Sequence, residues 1–190
     1  MREYLESTEV VDWNHPEVFA LARRLAGDDD DARAVARRCF EWVRDEVRHS
    51  ADYRLNPVTC SASEVLRHRT GFCYAKSHLL AALLRANAIP AGFGYQRLSV
   101  DGAGPPFCLH GFNAVHLPGL GWYRVDARGN RLGVAASFDP PSERLAFTPR
   151  LDGERTFPEI HASPLSVVVD ALHRYRTYDE LLNQLPDVDC

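Results

Sequence analysis

The sequence predicts an α+β fold in which helices come first and an antiparallel sheet follows. Three observations carry this. Residues 14–87 place apolar side chains at helical spacing in successive segments. Residues 92–126 switch to short extended runs divided by Gly- and Pro-rich turns. The two kinds of segment are not interleaved, which argues against βαβ units and a parallel sheet.

Asn14-His15-Pro16 opens the first helix, with Asn14 as its cap and Val18, Leu21, Ala22 and Leu25 on its apolar face; Gly27 ends it. The run Asp28-Asp29-Asp30-Asp31 puts negative charge at the start of a second helix, where the macrodipole favours it. No oxygen-ligand loop follows that run, so it reads as a solvated cap and not a cation site. The second helix buries Val35, Ala36, Cys39, Phe40, Val43 and Val47. From His49 to Cys60 the periodicity stops, and Asn56-Pro57 marks a loop. Ser61-Ala62-Ser63-Glu64 is a capping box for a short helix over 62–69, and Thr70-Gly71 breaks it. A fourth helix starts at Phe72 or Cys73, runs to about Asn87 and buries Leu79, Leu80, Leu83 and Leu84. Strands follow over 92–100, 108–117 and 122–126, with Pro118-Gly119-Leu120-Gly121 as the turn between the last two and Arg128-Gly129-Asn130 as a further turn. The last fifty residues hold helices over 164–175 and 178–185 and wrap the same body. No linker divides the chain, which reads as one domain over 1–190.

Composition narrows the function. The 190 residues are 45% apolar and 25% charged with a formal net charge of −4, which fits a folded globular chain. No apolar run approaches the ~18–20 residues of a membrane span, and Met1-Arg2-Glu3-Tyr4-Leu5-Glu6 is too polar for an export signal. Without a Lys/Arg-rich block, neither nucleic acid nor a membrane surface is expected as a partner. The five cysteines, Cys39, Cys60, Cys73, Cys108 and Cys190, are odd in number and contain no CxxC pair. That pattern predicts reduced thiols and a cytoplasmic location. Cys39 lies within an apolar stripe and reads as core, and Cys190 as a terminal thiol without a role. Trp13, Trp42 and the C-terminal aromatics suit either an interface or the core, so the oligomeric state stays open.

Cys73 is the cysteine placed for chemistry. A turn with a preceding glycine delivers it to the start of the most apolar helix, where free N–H groups and the helix dipole stabilise a thiolate. Downstream, His110 falls on one strand of the predicted hairpin and Asp126 on the other, within about a residue of being directly opposite. A carboxylate there would fix the imidazole tautomer. His116 falls near the turn, away from Asp126, and reads as a structural histidine.

These segments resemble the transglutaminase-like superfamily. The cysteine block runs from Ser61-Ala62-Ser63-Glu64-Val65-Leu66 through Gly71-Phe72-Cys73-Tyr74 to Leu83-Leu84-Arg85-Ala86-Asn87-Ala88-Ile89-Pro90-Ala91. His110-Gly111-Phe112-Asn113-Ala114-Val115 resembles the family's histidine block, and Gly121-Trp122-Tyr123-Arg124-Val125-Asp126 its aspartate block. The three occur in the family's order over about residues 60–130, and the flanks, such as Val43-Arg44-Asp45-Glu46-Val47, resemble a bacterial branch. Phe112 stands where the family commonly has tryptophan, and Ala127 where it commonly has proline. The resemblance implies a papain-like α+β fold, with N-terminal helices packed on an antiparallel sheet and the nucleophile at the N-terminus of a central helix. It also implies a Cys73–His110–Asp126 triad.

The expected activity is thiol-dependent acyl transfer from an amide or peptide bond through a thioester, as a cysteine protease, amidase or transglutaminase-like transferase. Substrates would be peptides, proteins or small amides, and no cofactor is called for. The Cys73 backbone N–H is one expected oxyanion donor; Tyr53, Gln96 and Asn113 are candidates for the second or for substrate contact. Lys76, one turn after Cys73, either adds positive charge near the thiolate or lies on a solvated face. Two alternatives compete: a non-catalytic binding module on the same fold, and a zinc site of Cys60, Cys73, Cys108 and His110, of which only Cys108-Leu109-His110 gives closely spaced ligands. In the enzyme reading, Cys60 and Cys108 are neighbours of the site without a chemical task.

Overall fold

Helices form where the apolar stripes place them. A computed structural model describes residues 1–188; Cys190, expected as a terminal thiol, lies outside the described residues. After a short 3-10 turn at Arg2–Leu5, helix α1 spans Pro16–Ala26 and buries Val18, Leu21 and Ala22. Its N-cap is His15 and not Asn14, because proline occupies the first helical position, where the missing N–H costs nothing; Asn14 instead accepts a hydrogen bond from Ser7 Oγ at 2.8 Å. Helix α2 spans Ala32–Glu46, with the Asp31 carboxylate accepting from Arg33 N as its cap.

The segment expected to be a loop holds short structure. Strand β1 (Arg48–His49) runs parallel to β2 (Thr70–Gly71), with His49 opposite Gly71, and a one-turn helix α3 (Ser50–Tyr53) follows β1. Two-residue strands carry no alternation to read. Their pairing is closed by a buried contact, Ser50 Oγ to Thr70 Oγ1 at 3.0 Å. Helix α4 (Ala62–His68) carries the full capping box between Ser61 and Glu64.

Helix α5 (Cys73–Ala86) is the centre of the molecule, buried from Cys73 to Arg85. α1, α2 and α4 pack around it, and strands β3 (Ala91–Ser99) and β4 (Phe107–Leu117) close its other side. These strands join β5 (Gly121–Val125) and β8 (Arg155–Thr156) in an antiparallel sheet of order β5-β4-β3-β8. A helix buried all round cannot show an amphipathic stripe, so its polar residues need partners inside. Arg85 donates to the carbonyls of Glu6, Ala91 and Ala162, and His78 Nδ1 bonds the Cys60 carbonyl at 2.8 Å.

Two glycines set close approaches, one between helix and sheet and one between strands. A Cβ on Gly111 would sit 3.1 Å from the Tyr74 ring of α5, and one on Gly94 would sit 2.3 Å from the Phe112 ring of β4. Phe112 therefore occupies space over β3 that only glycine leaves.

Beyond the sheet, β6 (Ser137–Asp139) and β7 (Ser142–Arg144) form a small hairpin. Helices α6 (Ser166–Arg174) and α7 (Tyr178–Leu182) return Val168, Leu172 and Leu181 to the main core. Neither this hairpin nor β8 was expected from the sequence, since strands of two or three residues fall below any readable period. Among the described residues no helix is long and apolar enough to cross a membrane.

Candidate active site

Cys73 is the first residue of α5, and its position follows from what precedes it. The β1·β2 pair fixes Thr70–Gly71, and Phe72 then supplies a helix cap without a side-chain acceptor, leaving the first-turn amides uncapped. Ser77 Oγ donates back to the Cys73 carbonyl at 2.9 Å. Tyr74, the next residue, hydrogen-bonds the Leu109 carbonyl of β4, which ties the helix of Cys73 to the strand of His110.

His110 and Asp126 meet across the hairpin. The observed β4·β5 register pairs Asn113 with Val125; extended by one step, it sets Asp126 opposite Phe112. The offset from His110 is thus two residues, not one. An even offset keeps both side chains on the same face, and His110 Nε2 to Asp126 Oδ2 is 2.7 Å. Both groups are buried. Asp126 also accepts from Ala146 N and Arg128 N, each at 3.0 Å.

The electrostatics favour the charged pair. Burial alone would push the Asp126 carboxyl up, but His110 and the backbone donors outweigh it and hold the carboxyl below its usual range. Burial likewise pulls His110 down, yet the charges of Asp126, which is hydrogen-bonded to it, and of nearby Cys73 raise it to about 10. With Nε2 engaged by Asp126, Nδ1 is the ring nitrogen left for Cys73. The Phe147 ring packs edge-on against the imidazole at 4.9 Å, and the Phe147 carbonyl accepts from Gln96 Nε2 at 3.2 Å.

Cys73 and His110 share a cavity of about 740 Å³. Its polar wall includes His49, Asp52, Arg128 and Arg131. Arg128 and Asp52 form a two-pronged ion pair at 2.6 and 2.9 Å. His49 is buried with Nδ1 unpartnered and 3.9 Å from Asp52 Oδ1. Burial, then the cations Arg128 and Lys76, keep it well below the usual histidine range and so neutral.

The other expected site residues divide. Gln96 is buried opposite His110 in the β3·β4 register; its Nε2 donates to Phe147 O and Thr156 Oγ1, while its Oε1 is buried without a hydrogen bond. Asn113 Nδ2 donates to the Ser77 and Gly92 carbonyls at 3.0 and 3.2 Å and so clamps α5 to the sheet; its Oδ1 is likewise buried without a hydrogen bond, and it does not line the cavity. Tyr53 is 59% exposed under the Arg48 guanidinium and lines a smaller neighbouring hollow. Lys76 is neither near-thiolate charge on a free arm nor a solvated residue. It is fully buried, bonds the Val47 and Arg44 carbonyls, and is lowered to about 7, chiefly by burial. His116 pairs with Trp122 near the turn and away from Asp126, as expected, the two rings edge to face with centroids 5.4 Å apart.

The zinc arrangement does not assemble. Cys108 lines the cavity but Cys60 does not, and among the described residues no group of three or more His, Cys, Asp or Glu converges on a metal position. Burial pushes the Cys39, Cys60 and Cys108 thiols each up to about 12.

The sequence reading missed His49, Asp52, Arg128 and the Ala146 amide. His49 and Asp52 fall where periodicity is lost, Arg128 falls in a turn, and a backbone donor has no side-chain signal.

Comparison with known proteins bears on the fold. The family model described as the transglutaminase-like superfamily matches residues 20–127, a span that contains Cys73, His110 and Asp126. Among proteins of curated function, none matches the sequence. A solved "putative cysteine protease" from Cytophaga hutchinsonii superposes with a TM-score of 0.54 at 22% identity, covering 66% of this chain and 40% of its own. The periplasmic domain of TgpA from Pseudomonas aeruginosa gives a TM-score of 0.48 at 25% identity, covering 65% of this chain and 45% of its own. This chain thus spans less than half of either structure. The match over more than half of its length, on the α+β architecture described above, places the chain in the transglutaminase-like superfamily.

Proposed function

We propose that the protein is a thiol-dependent acyl-transfer enzyme acting on an amide or peptide bond, with Cys73 as nucleophile, His110 as acid–base and Asp126 as the residue that orients His110. One observation carries the reading: the buried His110–Asp126 pair, hydrogen-bonded at 2.7 Å, stands beside a cavity that Cys73 and His110 both line. That arrangement suits a thiolate facing an imidazolium.

In the first half-reaction Cys73 Sγ⁻ adds to the acyl carbon. The carbonyl π electrons move to oxygen, where the Cys73 backbone N–H at the start of α5 stabilises the developing charge. The oxyanion then collapses, the C–N bond breaks, and His110 Nδ1 gives its proton to the departing amine. The result is a thioester and a neutral imidazole. In the second half-reaction water or an amine attacks the thioester, His110 takes the proton of the attacking group, and Cys73 leaves as thiolate. Water completes hydrolysis, and an amine completes transfer. Asp126 stays ionised throughout and holds the Nε2–H tautomer.

The test is to trap the thioester. Protein incubated with an activated peptide ester and quenched in acid should carry one acyl group on the Cys73 peptide by mass spectrometry. Cys73→Ala should carry none, and His110→Ala should acylate at least tenfold more slowly. Wild type without an adduct would favour a binding module on the same fold. Adding a primary amine to the reaction and measuring the acid-to-amide ratio separates hydrolysis from transfer.

A further inference from the structure

The cavity beside Cys73 also has apolar wall residues. These are Leu98, Val100, Phe147, Leu151, Leu182 and Leu185. Three of these are among the few large apolar side chains left open to solvent: Val100 at 47%, Leu182 at 40% and Leu151 at 36%. Leaving such groups in water is unfavourable, and their gathering at one mouth marks a surface that something covers.

Most of the wall is built by chain beyond the matched family segment, which stops at residue 127. Phe147 and Leu151 come from the loop after β7, and Leu182 and Leu185 from α7 and the residues after it. That last segment is firmly seated. Leu109 N, next to His110, donates to the Pro186 carbonyl at 2.7 Å. The Arg97 guanidinium grips Asp187 with two bonds at 2.8 and 2.7 Å. Tyr178 N donates to Asn56 Oδ1 at 2.7 Å. The wall is therefore a fixed surface and not a passing contact.

We infer that this wall is a specificity pocket for a peptide-type acyl donor carrying a bulky apolar side chain next to the reacting carbonyl. Polar groups interrupt the wall, with Ser99, Arg150 and Glu154 lining the same cavity. A peptide, with amides between its side chains, matches that mixture better than an unbroken alkyl chain. The inference rests on the acyl-transfer reading and adds to it the class of acyl donor.

The experiment compares p-nitrophenyl esters of acetyl-glycine, acetyl-leucine, acetyl-aspartate and hexanoate as acylators of Cys73, with iodoacetamide alkylation of the same thiol as a control that needs no wall. Burial of a leucine side chain predicts that acetyl-leucine outpaces acetyl-glycine by about tenfold or more, with acetyl-aspartate slower still. Leu182→Asp and Leu151→Asp, both at partly exposed positions, should cut that preference to below about threefold and leave alkylation unchanged. Acylation of Cys73 at one rate by all four esters would overturn the pocket while leaving the nucleophile in place. Variants that keep the full preference would do the same. A hexanoyl ester that outpaces acetyl-leucine would overturn the peptide assignment. Failure of every ester, together with slow alkylation of wild-type Cys73, would sink both readings.

Discussion

Asp126 shows how much one carboxylate can be asked to do. It is buried, accepts three hydrogen bonds, and faces an imidazole that its charge keeps protonated. Replacing it with asparagine keeps the shape and removes the charge. Under the proposed mechanism Asp126→Asn should lower acylation of Cys73 by about 10²–10⁴-fold, measured as a second-order rate with an activated ester. The pair also makes stability depend on pH. His110 is raised from 6.5 to about 10, so its contribution is fully present below pH 6.5 and is lost as pH rises through about 10. Asp126 is lowered, so its contribution is present above its ordinary value near 3.8 and is lost on acidification through the lower folded value. The urea midpoint of wild type should therefore fall between pH 6.5 and 10 by more than that of Asp126→Asn. At this scale Cys73, His110 and Asp126 were legible because each sits at a punctuated position: a helix start, a strand, a strand end. Lys76 was not, since nothing in a helix repeat distinguishes a lysine that reaches two buried carbonyls from one that reaches water.

The elements that position these residues are held by local rules the sequence displays openly. The Ser61–Glu64 box closes reciprocally, with Glu64 N on Ser61 Oγ at 3.3 Å and Ser61 N on Glu64 Oε2 at 3.1 Å. Ser61→Ala should cost about 1 kcal/mol in urea unfolding. The rate of Cys73 alkylation should stay unchanged, because α4 supports α5 from outside the cavity. Long elements were predicted to within a residue or two, as with α5 at Cys73–Ala86 and β4 at Phe107–Leu117. The shortest ones escaped. β1 and β2 exist through pairing with each other across some twenty residues, so no local pattern encodes them, and the four-residue α3 is too short to show a period. His110 and Asp126 were expected within about a residue of being opposite and are offset by two, because the β4·β5 register depends on the turn at 118–121, which sequence does not fix to the residue.

At the scale of the whole molecule, the chain divides the work between two stretches. Residues up to about 127 bring a helix start and a hairpin together and carry the proposed Cys73–His110–Asp126 centre. Residues after it supply the Ala146 amide that anchors Asp126, the Phe147 ring beside His110, and the apolar wall. The second stretch was legible in sequence only as a wrap with two helices, since its contribution is made through tertiary contacts. One consequence involves the thiols together. Cys39, Cys60 and Cys108 are held protonated by burial, with values pushed up to about 12. The Cys73 thiol, by contrast, stands beside the His110 imidazole in the cavity. The most direct measurement is thus the rate of iodoacetamide alkylation at pH 6, resolved by cysteine through peptide mass spectrometry. The account predicts stoichiometric labelling of Cys73 well ahead of the other three, lost in His110→Ala. Labelling of Cys73 no faster than Cys108, or equally fast without His110, would contradict it.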